Sequence, residues 1–147
     1  MTVPPRSNEL ETRIGVGVLI VRDGALLLGR RRGSHGAGAW APPGGHLEPG
    51  ESAESCARRE AAEETGLALG TVVRGPYTVD TIDGRHYVTL FVVATADGEP
   101  QRLEPEKCAG WRWHAWSALP APLFAPLASL VASGWAPGAL TDAAPGA

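Results

Sequence analysis

The chain has 147 residues, a net charge of −3, 44% hydrophobic and 20% charged residues. That length holds one domain with a real core and is short for two, the composition is globular, and the slight acidity argues against the polyanion-binding surface a duplex binder needs. The N-terminus has no apolar signal core, no stretch approaches a membrane-spanning length, and Cys56 and Cys108 show neither metal spacing nor a disulfide framework, so a cytoplasmic protein without a membrane partner is expected.

Residues 1–11 are polar around Pro4-Pro5 and read as a loose arm. Arg13 to Val21 is β-branched and glycine-studded, which predicts a buried strand. Asp23-Gly24 marks a hairpin turn, and Ala25 to Arg32 reads as the partner strand, with Leu26, Leu27 and Leu28 inside and Arg30, Arg31 and Arg32 at its end. Gly33 to Ala39 is a glycine-rich, flexible loop. Trp40 then starts a short segment that runs through Pro42-Pro43. Gly44-Gly45, with Pro49-Gly50 behind them, exclude a helix there. Ser52 is a good N-cap, Glu54 suits a first turn, alanines fill the interior, and Gly66 stands where a helix-ending glycine belongs.

Leu67 to Asp80 and Tyr87 to Ala96 read as a second strand pair turned at Asp83-Gly84. Asp97 to Gly110 is a polar loop carrying Glu104, Glu106 and Cys108. Trp111, Trp113 and Trp116 flank a short strand and read as core, and Leu119-Pro120 closes it. A second helix is predicted over Pro122 to Ser133, striped by Leu123, Leu127, Leu130 and Val131; Pro122 suits its start, while Pro126 threatens its first turn. From Gly134 the chain is rich in Ala, Gly and Pro and reads as loose. One domain over 12–136 is expected, with helices packed on a mixed sheet.

The first helix carries the functional signal. At about 100° per residue, Glu60, Glu63 and Glu64 fall in one sector with Ala53, Cys56 and Ala57, opposite Glu54, Ser55, Arg58 and Thr65. The small apolar residues that should mark the packed side thus share it with carboxylates that repel one another. A hard divalent cation resolves the conflict. An acidic helix face is more often solvated surface, balanced here by Arg58 and Arg59. The glycine loop directly ahead, which lets backbone and phosphate approach the same end, tips the reading towards metal.

The run Gly45, Glu51, Arg59-Glu60, Glu63-Glu64, Gly66 and Leu67 resembles the signature box of the Nudix hydrolases, with every fixed residue type in register and only Ala61 smaller than usual. The resemblance implies an α/β fold, the Nudix-type α/β/α sandwich with a mixed central sheet. It also implies hydrolysis of a nucleoside diphosphate linked to some other group, with Mg²⁺ as cofactor and Mn²⁺ as a possible substitute. On this basis Glu60, Glu63 and Glu64 are metal ligands, the Gly44 carbonyl joins them, and Arg59 and Glu51 orient the carboxylates. Glu60 is expected to be the base for the attacking water. Outside the box, Gly29 to Ser34, Pro43 to Glu48, His86 to Thr89, Glu104 to Cys108 and Trp111 to Trp113 are similar to the thioguanine-nucleotide-type diphosphatases. That implies cleavage of (deoxy)nucleoside triphosphates to monophosphate and pyrophosphate in nucleotide-pool housekeeping, by a homodimer.

The remaining site assignments are open in the residues themselves. A further metal carboxylate is expected in the loop before Trp111, with Glu106 ahead of Glu104. Arg31 is either a phosphate contact or solvated surface. His46, beside Gly45 in the glycine loop, either donates to phosphate or caps backbone. Thr89 and Phe124 are base-pocket candidates, since every base offers a stackable face. Cys108 reads as a packed thiol. The alternatives in function are an ADP-ribose or nucleotide-sugar hydrolase, or a non-catalytic nucleotide sensor. The expected partner is a small nucleotide, not a nucleic-acid polymer.

Overall fold

The computed structural model of the chain describes residues 11–33 and 36–138. Its elements are β1 (Thr12–Arg22), β2 (Ala25–Arg31), β3 (Trp40–Ala41), β4 (Gly44–His46), α1 (Ala53–Thr65), β5 (Leu69–Ile82), β6 (Arg85–Ala96), β7 (Cys108–Ala115), a 3-10 turn (Trp116–Ala118) and α2 (Ala125–Ala132). The arm at 1–10, the tail from 139, and Ser34 and His35 of the glycine-rich loop lie outside the described residues. No described helix is long and apolar enough to cross a membrane.

Everything is assembled on β1. Its run Val16 to Val21 is buried, as an almost unbroken β-branched stretch must be when both strand faces are covered. Successive side chains alternate between two cores: Val16, Val18 and Ile20 face one, Leu19 and Val21 the other. β6 runs parallel to β1 from Thr12↔His86 to Ile20↔Ala94, and β5 returns antiparallel to β6. The sheet order is β3-β2-β1-β6-β5, with β4 on β1 and β7 on β2. α1 covers one face through Cys56, Ala57 and Ala61, and α2 the other through Leu127 and Leu130. This is the expected α/β/α arrangement around a mixed sheet.

Both hairpin turns form where expected. Asp23 (φ 51°) and Gly24 (φ 75°), like Asp83 (φ 50°) and Gly84 (φ 73°), are left-handed at both central positions, which matches the twist of paired strands. Yet β2 is the partner of β1 only next to the turn, at Val21↔Leu26 and Arg22↔Ala25. Beyond that the two strands part, β1 to β4 and β6, β2 to β3 and β7. A cleft opens between them.

Three sequence expectations need correction. β7 begins at Cys108, inside the stretch read as polar loop, because the thiol fills the space over Gly29, where a Cβ would lie 2.5 Å from Cys108 Sγ. α2 begins at Ala125, not Pro122. Trp40 N–H donates to the Pro122 carbonyl and Phe124 N–H to the Trp40 carbonyl, both at 2.9 Å, so this segment pairs like a strand and the helix starts late. Pro126 then stands in the first turn, where its missing N–H is no loss. Thr65, expected on the open side of α1, is fully buried; its hydroxyl donates to the Ala61 carbonyl at 2.6 Å and accepts from Leu67 N–H at 3.1 Å.

The α1 caps agree with the sequence: Ser52 accepts from Ser55 N–H, and Gly66 (φ 75°) closes the helix by donating to the Ala62 carbonyl. Gly66→Ala is expected to cost about 1 kcal/mol, the penalty of a Cβ in the left-handed region. A lower urea midpoint at unchanged slope is the check.

Candidate active site

The buried line of α1 runs through Cys56, Ala57, Ala61 and Thr65. That line is rotated from the centre of the glutamate sector, and the rotation separates the three acids. Glu64 sits against the seam, Glu60 is 13% exposed, and Glu63 is turned out at 52%. The periodicity alone gave all three one environment.

Arg59 holds the outer side of this cluster. Its Nε and Nη2 donate to the two oxygens of Glu51 at 2.7 and 3.0 Å, and its Nη1 donates to Glu60 Oε1 at 2.7 Å. Glu63 Oε2 lies 3.5 Å from the same nitrogen, and the His46 carbonyl accepts from Nη2 at 3.3 Å. Glu51 also accepts from Glu48 N–H at 3.0 Å. The guanidinium fork, seconded by that backbone N–H, holds the Glu51 carboxyl down at about 2.

The inner side is built by glycine. A Cβ on Gly44 would lie 2.2 Å from the Val16 carbonyl oxygen, and one on Gly45 would lie 2.4 Å from the Glu60 carboxyl. β4 can therefore press on β1 and still face α1 only because both side chains are missing. Gly44 N–H donates to Glu64 Oε2 at 3.1 Å. The carboxyls of Glu60 and Glu64 meet here. Burial first, then Glu60 beside it, pushes the Glu64 carboxyl up to about 9.

Among the described residues no three His, Cys, Asp or Glu side chains converge as an ion-holding set. Glu60 and Glu64 do meet, while Glu63 leans towards Arg59. The donor set fits a hard divalent ion all the same: it is all oxygen, it is held in a glycine cradle a Cβ would fill, and Glu60 lies close enough to raise the Glu64 carboxyl.

The parting of β1 and β2 leaves a cleft of about 680 Å³ over this cluster. Thr89, buried on β6, and Phe91 line its floor; Phe124, Pro126 and Leu127 form one wall. Gly17 is part of that floor, because a Cβ there would lie 2.8 Å from the Phe91 ring. Arg31 lies over Phe124, 4.1 Å from the ring centroid, within the field of Glu64; burial lowers its pKa. His46 stacks on Tyr87, centroids 6.1 Å apart. Glu104 and Glu106 both line the rim, but it is Glu104, half-buried and 3.8 Å from Lys107 Nζ, whose charge reaches Glu64. Trp111 also lines the cleft and donates from Nε1 to the Glu64 carbonyl at 3.3 Å, so it serves both core and site. Tyr87 and Gly17 were missed in the sequence. The signal for Gly17 was present in Gly15-Val16-Gly17-Val18, glycines at every second position and so on one strand face.

The NUDIX domain profile matches residues 11–133. The crystal structure of a MutT NUDIX hydrolase from Burkholderia pseudomallei is similar, with a TM-score of 0.75 and 35% identity over 82% of this chain and 97% of that one. The oxidized purine nucleoside triphosphate hydrolase of Danio rerio is 46% identical over 55 residues, 37% of this chain and 35% of that protein, so the match spans about a third of that relative's length. The RNA pyrophosphohydrolase of Erythrobacter litoralis is 27% identical over 127 residues, 72% of this chain and 77% of that protein.

The Glu51 ion pair makes a pH-dependent contribution of known sign. The unfolded carboxyl titrates near 4.5, the folded one at about 2. The contribution is therefore complete above the unfolded value and lost as pH falls through the folded one. Urea unfolding of wild type and Glu51→Gln is expected to differ most above about pH 5 and to converge as pH approaches 2.

Proposed function

We propose that this chain, which belongs to the Nudix hydrolase family, converts (deoxy)nucleoside triphosphates to monophosphate and pyrophosphate with Mg²⁺, or Mn²⁺ in its place. The observation that carries the reading is one continuous cleft that joins the Glu60–Glu64 pair to an apolar pocket at Thr89, Phe91 and Phe124, with the cations Arg31 and Lys107 among its lining residues. A nucleotide joins the parts such a cleft would receive: a flat apolar base and a chain of phosphates that needs counter-charge.

Nudix hydrolases act on nucleotide phosphoanhydrides and use a divalent metal. In this chain Glu60 and Glu64 would hold it from the buried side, with Glu63, Glu104, Glu106 and the Gly44 carbonyl along the same cleft to complete the set. Of the two loop carboxylates, Glu106 is the more exposed and Glu104 the less. A bound ion supplies charge neutralisation at phosphate and a water of lowered pKa. Such transition states need alignment and electrostatic stabilisation more than a covalent catalyst. Glu60, held at 2.7 Å by Arg59, accepts the proton of the attacking water. Arg59 stays charged through its fork on Glu51 and keeps the Glu60 oxygen in place. Arg31 meets phosphate charge and leaves the Phe124 ring to the base. Gly45 and His46 form the backbone edge past which the phosphates run. The α–β anhydride breaks and pyrophosphate leaves. A cytoplasmic homodimer is part of the same reading.

The test is a substrate panel with Mg²⁺: purine and pyrimidine triphosphates, ADP-ribose, a nucleotide sugar and 5′-triphosphorylated RNA. Pyrophosphate release from the free triphosphates is expected. Inert triphosphates beside rapid cleavage of ADP-ribose or of the RNA end would overturn it. Glu63→Gln and Glu64→Gln are each expected to lower kcat by roughly 100-fold or more while thermal unfolding in a chelator stays at the wild-type temperature or rises. Chelator alone abolishes turnover, and added Mg²⁺ restores it.

A further inference from the structure

α2 supplies one wall of the cleft through Phe124 at its N-cap and Pro126 and Leu127 in its first turn. The helix is only eight residues long, and no side chain caps its N-terminus. Leu127 and Leu130 plug it into the core at 0% and 1% exposure. Apolar burial is non-directional, so that plug sets depth but not tilt. The start of the helix is pinned by Phe124 N–H on the Trp40 carbonyl. A second directional restraint sits one turn along: the Ser129 hydroxyl donates to Asp80 Oδ1 on β5. Ser129 follows Pro126 by three residues and so shares its helix face.

Asp80 belongs to the same sheet face as the cleft floor. It pairs with Tyr87, and Ile82 follows two residues later; both of those line the cleft. Asp80 itself does not line it, nor does Thr78, which pairs with the floor residue Thr89. Asp80 Oδ2 and the Thr78 hydroxyl are buried without a protein partner. Burying such groups is costly, and an apolar pair would hold a helix to a sheet at lower cost. What an apolar pair does not supply is a fixed angle.

We infer that the Ser129–Asp80 hydrogen bond is a positioning element that sets the tilt of α2 and, through Phe124, Pro126 and Leu127, the width of the pocket that receives the base. This rests on the proposed reading that a base enters that pocket. Neither residue lines the cleft that holds Glu60 and Glu64. The bond therefore governs how well a base is held and which size of base is favoured, and leaves the chemical step alone.

The experiment uses the full chain with Ser129→Ala, Ser129→Thr, Asp80→Ala and the Ser129→Ala/Asp80→Ala double variant. kcat and KM are measured on a purine and a pyrimidine nucleoside triphosphate, and guanosine and cytidine monophosphate binding is measured by calorimetry. Each alanine variant is expected to raise KM and weaken monophosphate binding about three- to tenfold, the worth of one hydrogen bond. kcat stays within about twofold, and the purine-to-pyrimidine ratio changes. The double variant should be no worse than the single ones, since they share one bond, and Ser129→Thr, which keeps the hydroxyl, should restore wild-type values.

Wild-type KM and monophosphate affinity in a less stable Ser129→Ala protein would mark the bond as structural only and overturn the inference. Additive losses in the double variant would do the same. If Asp80→Ala does not fold, the Ser129→Ala and Ser129→Thr comparison decides alone. If the wild type cleaves no triphosphate, the proposed reaction fails while monophosphate binding still scores the tether. If it binds neither monophosphate, the pocket takes no base and the inference fails with it.

Discussion

The fork between Arg59, Glu51 and Glu60 is the interaction on which the site depends. Carboxylates crowded on the packed side of a helix repel, and they stay together only if something positive lies between or behind them. Arg59 does this from the outer side, engaging Glu51 with two nitrogens and Glu60 with a third. On the inner side burial, with Glu60 beside it, pushes the Glu64 carboxyl up. The imbalance gives the site its direction: anchored charge outside, unresolved charge inside, facing the cleft.

That inner charge is brought against backbone by missing side chains. Gly44 lets β4 close on β1, and Gly45 leaves room for the Glu60 carboxyl at the point of closest approach. Gly17 does the equivalent work on the floor, where the Phe91 ring occupies the space its side chain would fill. Each absence is a packing fact with a chemical consequence, since a methyl group at any of these positions would displace a carboxylate, a strand or an aromatic ring.

The cleft itself follows from a strand pair that separates. β1 is committed to β6 by a long parallel ladder, and β2 to β7 by an antiparallel one. The hairpin that joins them can hold only two residue pairs before those commitments pull it open. α2 closes the far wall, its late start forced by the Trp40 pairing at one end and Ser129 bonded to Asp80 on β5 at the other. The glutamate cluster and the apolar pocket thus sit on different elements, α1 and β4 for the first, α2 and β6 for the second.

Local information was enough for the helix over 53–65 with both its caps, the two left-handed turns and the acidic box, because each depends on residues within a turn or two of one another. Thr89 and Phe124, named as base-pocket candidates, and Arg31, which the family resemblance put near the site, all line the cleft. Local reasoning misplaced Thr65, the start of α2 and the reach of β7, because each is decided by a partner distant in sequence: the seam under α1, Trp40, and Gly29. Glu104 and Glu106 both line the cleft, as their loop position suggested, and differ in exposure, which no local pattern relates to their place in the chain. By itself, then, the sequence determined which groups this protein possesses and on which elements they ride, for periodicity and capping are short-range. Only the tertiary structure decided how α1 is rotated, where two strands part and which carboxylates meet, since those follow from packing between segments that no local pattern relates.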